Sequence, residues 1–240
     1  MTRNTLGLLL LSSVLLLVSW RYLIVASERQ FGEMELTSAS LDENDSIIPG
    51  APLYPKAVSG MALQGKQVYL SLGCVNCHTQ QVRLEGVGRD LEQGLGLRPS
   101  MPRDYIRSGQ PLLGRVRLGP DLANAGTREE LTENALHKHL YSPQADSPES
   151  ICQPNPFLFE RNAIQGDRSS GSLDLGDGTE IKPKRDAHKL VAYVKSLRQD
   201  YELPEMPFLV DPPIVIVPIP PPAPAAEEGE SPENNQTSDE

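Results

Sequence analysis

Apolar residues run almost unbroken through LGLLLLSSVLLLVSWRYLIVA, residues 6–26, and nowhere else does the chain sustain such a run. About 20 apolar residues in helical conformation match the hydrocarbon thickness of a bilayer, so the stretch predicts a membrane-spanning helix. Arg3 precedes it and the acidic segment SERQFGEMELTSASLDENDS follows. Basic residues stay on the cytoplasmic side, which predicts an inside N-terminus and the rest of the chain outside. Trp20 and Tyr22 suit the headgroup interface, and Arg21 can extend its charge to it along an apolar stem. A cleaved signal peptide, with core 6–19 and cleavage near Ala26, is the competing reading. The run is long for a signal core and continues past Arg21, which favours an anchor over residues 1–27. Both readings exclude a cytoplasmic globular protein.

Beyond the anchor the patterning is weaker. Residues 28–58 hold few large apolar side chains and read as a linker, with a turn at Pro49-Gly50. In 62–73 Leu63, Val68, Tyr69 and Leu72 fall near one helical face, and Gly73 can end the helix. Residues 79–127 are rich in Gly, Pro and Arg and read as loops. A second helix is predicted over 128–141, capped by Thr127, stopped by Ser142-Pro143, with Leu131, Ala135, Leu136 and Leu140 on one face. Residues 142–183 are irregular, with a small hairpin in GSLDLGDGTEIKP. The clearest helix is 184–200, whose stripe is Leu190, Val191, Val194 and Leu197. The chain has 240 residues, room for one domain plus appendages, here placed at 59–203. Residues 204–240 are Pro-rich and then acidic, with too little apolar surface to offset the entropy of ordering, and read as a disordered tail.

The net charge of −10 argues against binding a nucleic-acid backbone. Three cysteines make no disulfide framework. Two of them stand in Cys74-Val75-Asn76-Cys77-His78, the pattern for covalent haem attachment. The two thiols add to the two vinyl groups of haem c, and the next residue brings an imidazole to the iron as proximal ligand. Gly73 lets backbone and ring approach closely. A zinc site would need a second ligand pair, but Cys152 is isolated, and His137 and His139 point apart on a helix. A thioredoxin-like site would need βαβ surroundings, which are absent. His188 opens the last helix and is expected to be exposed. Haem also takes a ligand on the other iron face unless it binds small molecules, and Met101 is the methionine inside the domain after the motif. The fold class expected is therefore mostly α, one N-terminal transmembrane helix plus a mono-haem cytochrome c domain. The helix before the motif and the last helix resemble the crossing terminal helices of the cytochrome c fold.

The order of anchor, linker, GKQVYLSLGCVNCHTQQVR, RLGPDLANAGTR, HKHLYSPQADSPESI and PFL resembles the mono-haem subunit II of cbb-type haem–copper oxidases, the FixO/CcoO family. HTQQVR and GPDLANAG carry more of that resemblance than the haem motif, which all c-type cytochromes share. In that family the second iron ligand is a methionine in a segment like P-x-S-I-M-P-x-Y-P-W-L. The matching segment here is PESICQPNPFL, which puts Cys152 at the methionine position. The sixth ligand is then Cys152 as thiolate, Met101, or a histidine, water or partner chain. The resemblance also implies that the loop holding Gly119 and Pro120 lines the haem and that Arg117 pairs with a propionate. It implies a single-pass protein of the cytoplasmic (inner) membrane with its haem domain on the periplasmic side. Its implied role is to take electrons from a donor cytochrome c and pass them to the integral-membrane catalytic subunit of the oxidase, alongside other cytochrome subunits. A free-standing tethered cytochrome c serving another respiratory complex is the alternative, and a haem-based ligand sensor would require an open sixth position.

Overall fold

The computed structural model describes residues 3–31, 34–38, 44, 46–58, 60–164, 166–174 and 178–210. Helix α1 (Arg3–Trp20) runs through a π-helical turn (Arg21–Val25) into α2 (Ala26–Phe31). Within it Asn4–Arg29 is one helix of 26 residues, long and apolar enough to cross a membrane. At 1.5 Å per residue it spans about 39 Å, more than the hydrocarbon core. Ser12 and Ser13 return their hydroxyls to the Leu9 carbonyl, so neither carries an unpaired polar group along this face.

The domain is built on a crossing of α3 (Gly60–Ser71) and α6 (Arg185–Ser196). Gly65 makes the crossing possible: a Cβ there would stand 1.9 Å from the Lys189 carbonyl oxygen and 2.8 Å from Tyr193 Cβ. Ala62 and Tyr69 bury against Leu190, Tyr193 and Val194, and the two tyrosine rings meet edge-on at 5.3 Å. The α6 stripe expected from the sequence is buried at Leu190, Val191 and Val194, joined by Ala187 and Tyr193. Helix α4 (Glu133–Tyr141) is shorter than expected. Thr132, not Thr127, caps it by accepting from the Ala135 amide at 3.1 Å, and Thr127 belongs to a 3-10 turn instead. A short α5 (Pro143–Asp146) follows.

The expected hairpin is one part of a three-stranded antiparallel sheet of order β1-β3-β2, with β1 at Phe159–Ala163, β2 at Leu173–Asp174 and β3 at Thr179–Pro183. Phe159, Leu173 and Ile181 seat the sheet on the helices, Ile181 lying across both Arg161 and Leu173.

Two segments expected to be appendages pack on the domain. In the linker, Thr37 pairs with Tyr54 through both backbone hydrogen bonds, and the Tyr54 ring stacks on Tyr201 at 4.6 Å. Past residue 203, the amides of Leu209 and Val210 donate to the Leu97 carbonyl, so the described fold extends beyond the expected boundary. The rest of the expected tail, residues 211–240, lies outside the described residues. A buried ion pair fastens these pieces. Arg98 and Asp104, both fully buried, meet at 2.7 Å, and Tyr201 donates its hydroxyl to the same carboxylate at 2.7 Å while its carbonyl accepts from Arg98.

Candidate haem site

Gly73 ends α3 in the left-handed conformation (φ 72°), which a side chain would strain. The chain then closes a tight 3-10 turn, Cys74–Asn76, in which the Cys74 carbonyl accepts from the amides of both Cys77 and His78. The turn carries Cys74, Cys77 and His78 just past the C-terminal end of α3. Segment 113–120 runs alongside: Leu113 accepts from the Gln80 amide, Arg115 donates to Val75, and Leu118 and Gly119 both donate to the Cys77 carbonyl. Gln80 ties the site to the helix crossing by accepting from the Tyr193 hydroxyl at 3.1 Å.

The His78 imidazole is gripped from one side. Its Nδ1 lies 2.8 Å from the Pro120 carbonyl oxygen. A carbonyl can only accept, so Nδ1 carries the proton and Nε2 keeps its lone pair. That is the tautomer of a metal-ligating histidine, with the second nitrogen held by a backbone carbonyl. Gly119 forms the floor under the ring. A Cβ there would lie 2.3 Å from Cε1, 2.8 Å from Nδ1 and 2.9 Å from Nε2. Gly119 and Pro120, expected in the sequence to line the haem, thus meet the motif histidine directly.

The thiols of Cys74 and Cys77 are free, and burial, together with the nearby Cys152 and Cys77, pushes the Cys74 thiol up to about 11. Neutral, reduced sulfur is the form that adds across a carbon–carbon double bond. Around them Leu113, Val116 and Leu118 are exposed, Leu118 at 59%, although Leu118 is hydrogen-bonded to the motif itself. Large apolar side chains left open beside a ligating histidine are the surface a porphyrin would cover. The residues present therefore fit haem. Among the described residues no group of three or more His, Cys, Asp or Glu could hold a metal ion by protein donors alone, so the fit to haem is not shared by a zinc site.

The expected propionate partner, Arg117, is placed otherwise. Its Nε donates to Thr79 at 2.7 Å, Nη1 to Asp90 at 2.5 Å, and Nη2 to the Gln81 carbonyl and to Asp121. Two fully buried carboxylates already use the fork, which leaves no open face for a third. Arg83 completes the group by pairing with Asp90 at 2.8 Å. Burial pushes the Asp90 carboxyl up, but hydrogen bonds from Arg83 and Arg117 outweigh it and hold the group well below the usual carboxylate range. The cluster locks HTQQVR to GPDLANAG, the two blocks that carried the family resemblance. Sequence reading passed over Arg128. Its Nη2 donates to the Asp121 carbonyl, its Nε is buried without a partner, and burial depresses its pKa against only the weaker pull of Asp121 and Glu130. Its one legible signal was its place at the end of RLGPDLANAGTR.

Of the sixth-ligand candidates, Met101 caps the turn Pro102–Tyr105, its amide donating to Asp104 on the Arg98 cluster. Cys152 is half-buried, its Sγ lies 3.8 Å from the Gln153 carbonyl, and burial pushes its thiol up. His137 is buried against α6 and Phe159 rather than facing the motif, and His188 is exposed, as expected.

A family model described as cytochrome c oxidase, mono-heme subunit/FixO, matches residues 53–175. The chain belongs to the FixO family. A comparison with curated proteins finds no match. The FixO match spans the motif, the Gly119-Pro120 loop and Cys152, and identifies a mono-haem subunit of a cytochrome c oxidase that works in electron transfer. The apolar helix N-terminal to the matched region fits a single-pass membrane anchor for such a FixO subunit.

Proposed function

We propose that this chain carries one haem c, bound covalently through Cys74 and Cys77 with His78 as proximal ligand. On this reading it takes electrons from a donor cytochrome c and passes them to the catalytic subunit of its oxidase from the periplasmic face of the inner membrane. The observation that carries it is the seating of His78: Gly119 beneath the ring and the Pro120 carbonyl on Nδ1 leave Nε2 as the lone-pair nitrogen beside a reduced cysteine pair. When bound, haem supplies a one-electron iron couple. Cys74 and Cys77 each add S–H across a vinyl double bond, sulfur to one carbon and hydrogen to the other, with no net oxidation. Pro120 fixes the tautomer of His78. Arg128, whose Nε is buried without a partner and which pairs with no carboxylate among the described residues, is the guanidinium assigned to a propionate in place of Arg117. The helix Asn4–Arg29 holds the domain at the membrane, with Arg3 on the cytoplasmic side and the acidic segment after it outside.

The test is haem staining of the denatured full-length chain together with its intact mass. Retained pigment and a mass higher by one porphyrin are expected, and both are expected to vanish in a Cys74→Ala, Cys77→Ala double variant. A native chain at its bare polypeptide mass refutes attachment. Co-purification from membranes with a many-helix haem–copper subunit is the expected result for the partner. Purification without one favours the free-standing tethered cytochrome.

A further inference from the structure

The segment that joins the anchor to the domain leaves two hollows where it packs, and Arg107 lines both. We propose that these hollows together hold one anionic phospholipid of the membrane in which the chain is anchored. Its phosphate lies in the first, against Lys56, Lys66 and Arg107, and its apolar part in the second. The proposal goes beyond the function above and takes from it only the membrane anchor.

The chemistry of the hollows is the first observation. One has a volume of about 400 Å³, within the range of small-molecule sites. Lys56, Lys66 and Arg107 line it, with Tyr54, Val58 and Leu63 among its walls. The other, about 510 Å³, is lined by Met34, Leu36, Ile47, Leu53 and Ile106 besides Glu35 and Arg107. A basic hollow and an apolar one that share a guanidinium match a molecule with an anionic head and an apolar body.

The second observation is a count of donors. Arg107 is exposed and makes no hydrogen bond or ion pair among the described residues. Lys56 lies 5.4 Å from the centre of the Tyr54 ring and likewise has no ion pair among them. Lys66 gives N–H groups to the carbonyls of Ser108 and Gln110, at 2.8 and 2.9 Å, and an ammonium has a third to give. Burial lowers the pKa of Lys66, and neither of those partners is an anion that would offset it. The carboxylates lining the first hollow are already engaged, Asp104 by Arg98 and Tyr201, and Asp200 by Arg198. Glu35, at the second, is exposed. Three cations thus line one hollow without an anion of their own, in a chain whose net charge is −10. A phosphodiester supplies that charge and accepts the spare N–H groups.

Reach is the third observation. Met34 lies only five residues past Arg29, the end of the membrane-spanning helix, and five extended residues cover at most about 18 Å. Arg103 fastens this stretch to the domain by donating to the Glu35 carbonyl. The second hollow is therefore held close to the end of the helix, where the headgroups lie. A free anion leaves the apolar hollow empty, whereas a lipid fills both. Helix α3 starts beside the first hollow, which Leu63 and Lys66 line, and leads to the cysteine motif. A lipid seated at one end of α3 thus sets how the motif at the other end is presented above the bilayer.

The experiment titrates the full-length haem-loaded chain, in a nonionic detergent, with phosphatidylglycerol, phosphatidylcholine or inorganic phosphate. Native mass spectrometry reads binding, and hydrogen exchange reads its place. Phosphatidylglycerol is expected to slow exchange over 54–58 and 105–110, while phosphatidylcholine and inorganic phosphate leave both segments unchanged. Lys56→Gln and Arg107→Gln are each expected to weaken phosphatidylglycerol binding about fivefold, the worth of one basic side chain at an anionic headgroup. Both side chains are exposed, so both variants are expected to melt with the native chain. Equal protection by phosphatidylcholine overturns the proposal, and so does protection by inorganic phosphate, which marks a site for free anions. Phosphatidylglycerol that fails to bind, or binds while both segments stay unprotected, overturns it as well. The native titration decides by itself, so a poorly folding variant does not block the test. A chain soluble without detergent refutes the anchor beneath the proposal, and none of these outcomes bears on haem attachment.

Discussion

Adding one methyl group at Gly119 perturbs the candidate site at its most confined point. The new Cβ would lie 2.3 Å from His78 Cε1, 1.1 Å short of the 3.4 Å where ordinary contact begins. The ring cannot recede by that amount and keep a 2.8 Å hydrogen bond from Nδ1 to the carbonyl of the very next residue, Pro120. Losing that bond costs about 1 kcal/mol and the overpacking about 1–3 kcal/mol, so Gly119→Ala is expected to destabilise by roughly 2–4 kcal/mol. For a domain of this size that lowers the melting midpoint by roughly 5–15 °C. A second readout is specific to the site: a displaced Nε2 weakens the iron bond, so the haem-loaded variant should show a high-spin fraction that the native chain lacks. Gly60→Ala is the control, because a Cβ there meets nothing within 4 Å. Its melting curve and spectrum are expected to match the native ones. A Gly119→Ala chain that melts with the native one and keeps a fully low-spin spectrum refutes the idea that Gly119 seats His78.

Gly65→Ala should be worse for stability and neutral for the spectrum per folded molecule, since its Cβ would be 1.9 Å from a backbone oxygen that cannot rotate away; equal urea midpoints for variant and native chain would contradict this. Asp90→Asn leaves Arg83 and Arg117 without their shared, fully buried carboxylate and is expected to cost about 3 kcal/mol at pH 7. Because the Asp90 pKa is lowered on folding, its stabilisation is present above the unfolded value near 4 and is lost below it, so native and variant curves should converge in acid. His137 acts at higher pH. Burial, and then repulsion from His188, lowers it to about 4, so between pH 6.5 and 4 the unfolded chain takes up a proton that the folded chain refuses. Stability should fall by about 2 kcal/mol from pH 7 to pH 5, and a His137→Gln chain with the same pH slope would refute that origin. Arg128→Gln removes a half-buried positive charge beside the site and is expected to lower the midpoint potential of the haem; an unchanged midpoint in redox titration would rule out its contact with a propionate.

The parts of this molecule that were legible in its sequence are those whose physical cause is local. The anchor is a continuous apolar run, α6 repeats its apolar residues every three or four positions, and the motif encodes its chemistry in five consecutive residues. What escaped reading is held by partners far apart in the chain. Strand β1 buries Phe159 and then exposes four residues in a row, so it shows no alternation, and only its pairing with β3 makes it a strand. Residues 28–58 look like a linker because nothing in them is periodic, yet Tyr54 finds Tyr201 and Thr37 finds Tyr54. The same distinction runs through the site. Cys74, Cys77 and His78 could be picked out from spacing alone. Arg117 could not be assigned from spacing, because what decides its role is whether carboxylates from positions 90 and 121 reach it, and both do. A guanidinium beside a haem motif is open to a propionate only if the fold has not already neutralised it, and that is a property of the whole loop cluster. By that criterion Arg128 is the partner we propose, since it meets no carboxylate among the described residues and its own Nη2 donates to the Asp121 carbonyl, beside the Pro120 that holds His78.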